Sequence, residues 1–264
     1  CGASCLLRHA EDRYDLQRPN ENSRRFESVG KLREVFPGVS TKSKESVPEL
    51  GPDETLALIC PYDGIGGARV ALELLTVKPA LYVSIEDDSD CAAVVERAWP
   101  EAVHFEKVEQ VTENQLRSLF AKYPKITRVL FLGGPPCQPF TGLSSQRVGF
   151  QDPRSDGIAN FVNLISLCLK AAPHLLWDVV MENVASMSSE HMKQITKQLE
   201  SLGVGLPCRF DAAELGRIRR PRLYWSTFPP EIEGFAAKDS GRGFISMRHL
   251  SKEEMPVKEF LDDG

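Results

Sequence analysis

The chain has 264 residues, 42% of them hydrophobic, which suffices for one large buried core and leaves little room for a second. Its formal net charge of −5 argues against a general electrostatic grip on a polyanion, so any contact with nucleic acid must be local. No apolar run approaches the ~20 residues that span a membrane, and the seven cysteines (1, 5, 60, 91, 137, 168 and 208) form no CxxC pair or metal spacing, which speaks against zinc and for a reducing compartment. The start, Cys1-Gly2-Ala3, has neither an initiating Met nor a signal peptide and reads as that of a fragment.

Residues 1–53 are polar and broken by Pro and Gly, as in Pro48-Glu49-Leu50-Gly51-Pro52, and read as an arm or linker ahead of a core over 54–264. From there short apolar runs alternate with helical spacing. Strands are expected over 56–60, 81–85, 103–105, 128–132 and 177–181, and helices over 68–75, 89–99, 113–122 and 157–171. Asp88 or Ser89 caps the second helix, and Thr112-Glu113-Asn114-Gln115 has the form of a capping box for the third. Such alternation builds parallel βαβ units with helices on both faces. A helix near 188–202 is followed by strands over 206–211 and 222–228 with no helix between them, so an antiparallel pair closes the sheet. The fold class is α/β, a doubly wound and mainly parallel sheet. Beyond it, residues 229–264 offer Pro229-Pro230, a glycine-containing turn at 241–243 and a helix-like piece over 257–261.

Three strand ends carry chemistry. The run 128–132 leads into Gly133-Gly134-Pro135-Pro136-Cys137-Gln138-Pro139-Phe140, where glycines allow close backbone approach and prolines stiffen the lip that displays a thiol. The run 177–181 leads into Glu182-Asn183-Val184, and Arg217, Arg219, Arg220 and Arg222 precede or enter the last strand. A nucleophilic thiolate, a carboxyl that shares a proton and a guanidinium that polarises a carbonyl are what addition to an electron-poor ring requires. Upstream, Tyr62-Asp63-Gly64-Ile65-Gly66-Gly67 occupies a strand-to-helix turn. A dinucleotide fingerprint would need glycine where Arg69 stands, so no pyrophosphate is cradled there. Glu86, about twenty residues further on, ends the next strand, where an acid accepts ribose hydroxyls or is simply one of three solvated acids with Asp87 and Asp88.

With these motifs in this order, from about Leu56 to about Phe228, the sequence resembles the cytosine carbon-5 methyltransferases, and its Arg220-Pro221-Arg222-Leu223-Tyr224-Trp225 stretch looks like the de novo DNA methyltransferases. The resemblance implies the S-adenosylmethionine-dependent methyltransferase fold and that cofactor, with DNA as partner, the nucleus as location and no metal. Cys137 would add to carbon 6 of cytosine and Glu182 would hold ring nitrogen 3 and the exocyclic amine. Arg222 would bond the carbonyl oxygen, with Arg220 as a second contact or brace, while Asn183 fixes the turn. Tyr62, Asp63, Gly64, Ile65, Gly66, Gly67, Glu86, Asp87 and Pro136 would line the cofactor pocket. The loop 139–154, with Arg147 and Arg154, is long for a βα connection and would close over an extruded base.

Two departures accompany the resemblance. Where the family carries an acid for the adenine amino group, this chain reads Phe105-Glu106-Lys107-Val108, and either Glu106 substitutes after a one-residue shift or binding is weakened. The family's target-recognition region and final Gly-Asn motif have no counterpart in 229–264 or in 1–55. The sequence therefore leaves three readings: a DNA methyltransferase core, a tRNA cytosine methyltransferase, and a non-catalytic methyltransferase-like binding subunit. Oligomeric state is not legible.

Overall fold

β1 (Leu56–Pro61) is buried along its whole length because it runs at the middle of a parallel sheet, between β2 (Leu81–Ile85) and β4 (Arg128–Gly133). The computed structural model describes residues 55–136, 156–214, 218–228 and 235–249. β3 (Val103–Phe105), β5 (Leu176–Val184), β6 (Cys208–Asp211), β7 (Pro221–Ser226), β8 (Phe235–Asp239) and β9 (Ile245–His249) complete one sheet of nine strands in the order β3-β2-β1-β4-β5-β7-β6-β9-β8. The five strands from β3 to β5 are parallel, whereas β7 is antiparallel to both β5 and β6.

The helices are α1 (Gly67–Leu74), α2 (Ser89–Ala98), α3 (Glu113–Lys122), α4 (Asp156–Ala171) and α5 (Ser189–Leu199). Their starts follow the expected chemistry. The Asp88 side chain accepts from the amides of Asp90 and Cys91, Thr112 and Gln115 form a reciprocal capping box, and Ser188 accepts from the His191 amide. Alternation along β1 sorts its side chains to two cores. Ala57 and Ile59 join a large cluster with Phe131, Phe161, Ile165 and Trp225, while Leu58 and Cys60 join a smaller one with Leu72, Tyr82 and Trp99.

The expected strands and helices of the parallel half are present to within a residue or so, β5 excepted. β5 runs on to Val184, so Glu182 and Asn183 lie within a strand rather than just past it, because β7 continues the ladder with Glu182 opposite Tyr224 and Val184 opposite Arg222. The helix expected over 188–202 breaks into α5 and a 3-10 turn, Glu200–Leu202, that stops at Gly203 with φ 73°. The antiparallel closing pair is present as β6 and β7, but it does not end the sheet. β9 pairs in parallel with β6, and β8 pairs antiparallel with β9, so the turn at 241–243 joins two strands that the sequence reading did not contain. The arm over 1–53, the loop over 139–154 and the piece over 257–261 lie outside the described residues.

Among the described residues no helix is long and apolar enough to cross a membrane, and no three His, Cys, Asp or Glu side chains stand together as a metal site.

Candidate active site

The strand order reverses between β1 and β4, and ligands of open α/β sheets bind outside the carboxyl ends of the strands at such a point. Both motif-bearing turns emerge there. β1 ends in the turn 62–67, and β4 ends in Gly133-Gly134-Pro135-Pro136. Cys137 lies outside the described residues, and the lip is described as far as Pro136.

That lip is pinned from three sides. A Cβ on Gly133 would sit 2.3 Å from the Pro61 carbonyl oxygen, so only glycine lets β4 close on the end of β1. The Asn183 side chain, 1% exposed, donates to the Pro135 carbonyl at 3.3 Å and accepts from the Val184 amide at 2.8 Å, tying the lip to β5. On the third side Gly157, in the first turn of α4, approaches Pro136 so closely that a Cβ would lie 2.9 Å from Pro136 Cδ. Its carbonyl accepts from the Tyr62 hydroxyl at 3.1 Å. Tyr62 therefore ties the glycine turn to the start of the helix that backs the lip, a role its sequence position did not reveal.

Glu182 stands beside the lip. A Cβ on Gly134 would meet its Oε2 at 3.0 Å, and Arg222 Nε contacts its Oε1 at 2.5 Å. Burial raises the Glu182 pKa above the ordinary carboxyl value, and the charges of Arg222 and Arg220, with the Arg222 hydrogen bond, offset only part of that rise. Arg222 spends a second N–H on the Pro221 carbonyl at 3.0 Å, which leaves further N–H donors of its planar fork free among the described residues. Of the arginine cluster, Arg222 enters the site. Arg220 is exposed, with its amide bonded to Asp211 Oδ1 at 2.8 Å, and Arg219 lies 3.9 Å from Asp211 Oδ2 with its side chain 85% exposed. Arg217, Arg147 and Arg154 lie outside the described residues. Tyr224, directly across the ladder from Glu182, was not singled out in the sequence; burial and Glu182 raise its pKa.

The glycine turn makes the second half of the cleft. Gly64 and Gly66 have φ of 59° and 82°, the left-handed region that glycine adopts at low cost, while Tyr62 at φ 58° adopts it with a side chain and is held there by its surroundings. Gly66 is fixed twice over, since a Cβ there would fall 2.3 Å from Trp99 Cζ3. Over Gly64 and Gly67 a Cβ would meet nothing within 4 Å, and α1 begins with no side-chain cap. The turn thus presents open space above an uncapped helix N-terminus. Glu86 Oε2 accepts from the Gly64 amide at 2.7 Å and Oε1 from the Asp88 amide at 3.0 Å, which aims its carboxylate along the turn and leaves each oxygen a lone pair. Asp63 is held the other way. Its carboxylate accepts from the Tyr82 hydroxyl beside Cys60 and Ser84, and burial raises its pKa, so a cofactor contact at 63 would come from backbone. Ile65 and Asp87 are exposed, as is Pro136. Lys107 Nζ lies 4.0 Å from Glu106 Oε1, so the pair after β3 is turned on itself with no acid in the Lys107 position.

Fold and cleft together are those of an open, mainly parallel α/β sheet with a ligand cleft at the point where its strand order reverses. A solved structure with this arrangement, the Entamoeba histolytica methyltransferase EhMeth, matches with a TM-score of 0.54 and 19% identity over 80% of this chain and 61% of that one. The model of the C-5 cytosine-specific DNA methylase family matches residues 60–219, and the chain belongs to that family. Among curated proteins, the type II methyltransferase M.AquIA of Picosynechococcus sp. is 29% identical over 130 residues, 49% of each chain. The Arabidopsis thaliana DNA (cytosine-5)-methyltransferase DRM2 is 26% identical over 113 residues, 40% of this chain and 18% of DRM2. The chain thus spans about half the length of M.AquIA and under a fifth of DRM2.

The residues present fit S-adenosylmethionine on this structure's own terms. The space over Gly64 and Gly67 admits a ligand against backbone, the uncapped start of α1 suits a carboxylate, and Glu86 retains acceptors for two hydroxyls.

Proposed function

We propose that the protein transfers a methyl group from S-adenosylmethionine to carbon 5 of cytosine in DNA through a covalent adduct with Cys137. The observation that carries the reading is the Glu182–Arg222 pair, set against the Gly134 backbone at the mouth of the Pro-Pro-Cys lip. When bound, S-adenosylmethionine supplies an electrophilic methyl group. Glu86 binds its ribose hydroxyls, the first turn of α1 its carboxylate, and the backbone of 62–67 its amino-acid moiety, with Pro136 and Asp87 at the rim.

Carbon 5 of cytosine is a weak nucleophile until the ring loses its aromaticity. Cys137 as thiolate adds to carbon 6, and Glu182, whose pKa burial raises, shares a proton with ring nitrogen 3 as negative charge develops. The free N–H groups of Arg222 bond the carbonyl oxygen, and its Nε holds Glu182 in register with the ring. Arg220, which is exposed, adds its charge to the field at Glu182 and serves as a second contact or as a brace. Asn183 acts through the lip and positions Cys137. Carbon 5, now nucleophilic, would take the methyl group; a base then accepts the carbon 5 proton, and the electron pair of that C–H bond re-forms the ring double bond and expels the thiolate from carbon 6.

Incubation of the protein with methyl-labelled S-adenosylmethionine and duplex DNA should place label on carbon 5 of cytosine. Label found preferentially on tRNA would replace DNA as the substrate, and no label on either, with cofactor bound, would leave a methyltransferase-like binding subunit. Such activity in a nucleated cell would place the protein in the nucleus.

A further inference from the structure

Alternation across β5, β7, β6 and β9 places Glu182, Tyr224 and Cys208 on one face and Asn183, Leu223, Arg209 and Ser246 on the other. On that second face, away from the Glu182 site, lies a cavity of about 610 Å³. Its floor is Leu223 and its roof is the first turns of α5, with Ser189 and Met192. The remaining wall is the β8–β9 turn, which folds over α5 because Gly243, at φ 87°, brings its backbone to where a Cβ would lie 3.3 Å from Met192 Cε.

The lining has a consistent chemistry. Arg209 projects from β6 and Arg242 from the turn, none of the lining residues is acidic, and among the described residues neither guanidinium pairs with a carboxylate. Ser189, Ser240 and Ser246 line the same space, and Phe244 and Met192 with Leu223 add apolar lining. Two forked cations facing one cavity are suited to a phosphoryl group, which accepts bidentate hydrogen bonds from guanidinium. An apolar and aromatic side within a volume typical of small-ligand sites calls for a flat organic body on that phosphate.

We propose that this cavity is a second ligand site that binds a nucleotide phosphate, the phosphoryl group between Arg209 and Arg242 and the base against Phe244, Met192 and Leu223. The phosphate can belong to a free nucleotide or to the end of a strand. The site is separate from the Glu182 cleft and makes no use of the methyl-transfer machinery.

Calorimetric titration of the whole chain with inorganic phosphate, deoxyadenosine monophosphate and a 5′-phosphorylated oligonucleotide tests it. The nucleotide should bind more tightly than inorganic phosphate, and Arg209→Gln and Arg242→Gln should each weaken it about tenfold, the scale of a lost charge-assisted hydrogen bond. S-adenosylhomocysteine should neither displace the nucleotide nor lose affinity in either variant. Arg242 is exposed on a turn, so its variant keeps the core intact, and it decides the matter should Arg209→Gln fail to fold. Displacement of the bound mononucleotide by the oligonucleotide only when it carries its 5′-phosphate would identify a strand end as the source, and failure of the oligonucleotide to displace it with or without that phosphate would identify a free nucleotide. Absence of saturable nucleotide binding, equal binding by wild type and Arg242→Gln, or displacement by S-adenosylhomocysteine would overturn the proposal.

Discussion

Two opposing influences act on Glu182. Burial disfavours its charged form while the Arg222 and Arg220 guanidiniums favour it, and the net result is a raised pKa. In the proposed mechanism the protonated form serves nitrogen 3 and is lost as pH rises through the raised value, so the rate should fall on the alkaline side. Arg222→Ala removes the largest opposing influence, pushes the Glu182 pKa higher still, and should move that limb to higher pH. The same variant should lower the maximal rate by about two to three orders of magnitude, because a donor to the carbonyl oxygen is gone. A pH–rate profile of both proteins checks the two effects separately. Asn183 has a different kind of role. Asn183→Ala leaves the Pro135 carbonyl without the donor it has now and should lower stability by about 1–3 kcal/mol in denaturant unfolding, with slower methyl transfer as the lip loosens. Glu182, Arg222 and Asn183 were legible in the sequence because their residue types and order carry the chemistry. Tyr224 and the Tyr62–Gly157 bond were not, since their roles arise from strand register and from a contact between residues 95 apart.

At the scale of elements, the glycine turn separates packing from binding. Gly66 has φ 82° and no room beside Trp99, so Gly66→Ala should destabilise the fold. Gly67 opens a helix at negative φ with empty space above it, so Gly67→Ala should leave stability unchanged or raise it by up to about 1 kcal/mol. The same methyl would occupy the space assigned to the cofactor, and affinity for S-adenosylhomocysteine should drop. Thermal unfolding and calorimetric titration of the two variants distinguish these outcomes; a Gly67→Ala protein with full affinity would remove the cofactor from the turn. Parallel strands were legible because each is a short apolar run bounded by helical spacing and turn residues. β8 and β9 were not, because Phe-Ala-Ala-Lys-Asp is mostly exposed and lacks the alternation of a half-buried strand. Their pairing follows from the free edge of β6, a property of the assembled sheet that no local pattern announces.

For the whole molecule, the reversal of strand order between β1 and β4 is what makes one site of two distant motifs. The cofactor turn is carried by one of these strands and the cysteine lip by the other, and the Pro61–Gly133 approach holds their ends together. β5 then adds Glu182, and β7, running the opposite way, returns Arg222 to the same end of the sheet. The order of motifs along the chain announced this family, and topology explains why that order works. Covalent attack by Cys137 with proton sharing by Glu182 is most sharply tested by trapping on DNA containing 5-fluorocytosine, because fluorine at carbon 5 cannot be eliminated after methyl transfer. A protein–DNA adduct dependent on S-adenosylmethionine should form, be abolished in Cys137→Ser and form about two to four orders of magnitude more slowly in Glu182→Gln. An adduct that persists in Cys137→Ser would contradict covalent attack by that cysteine.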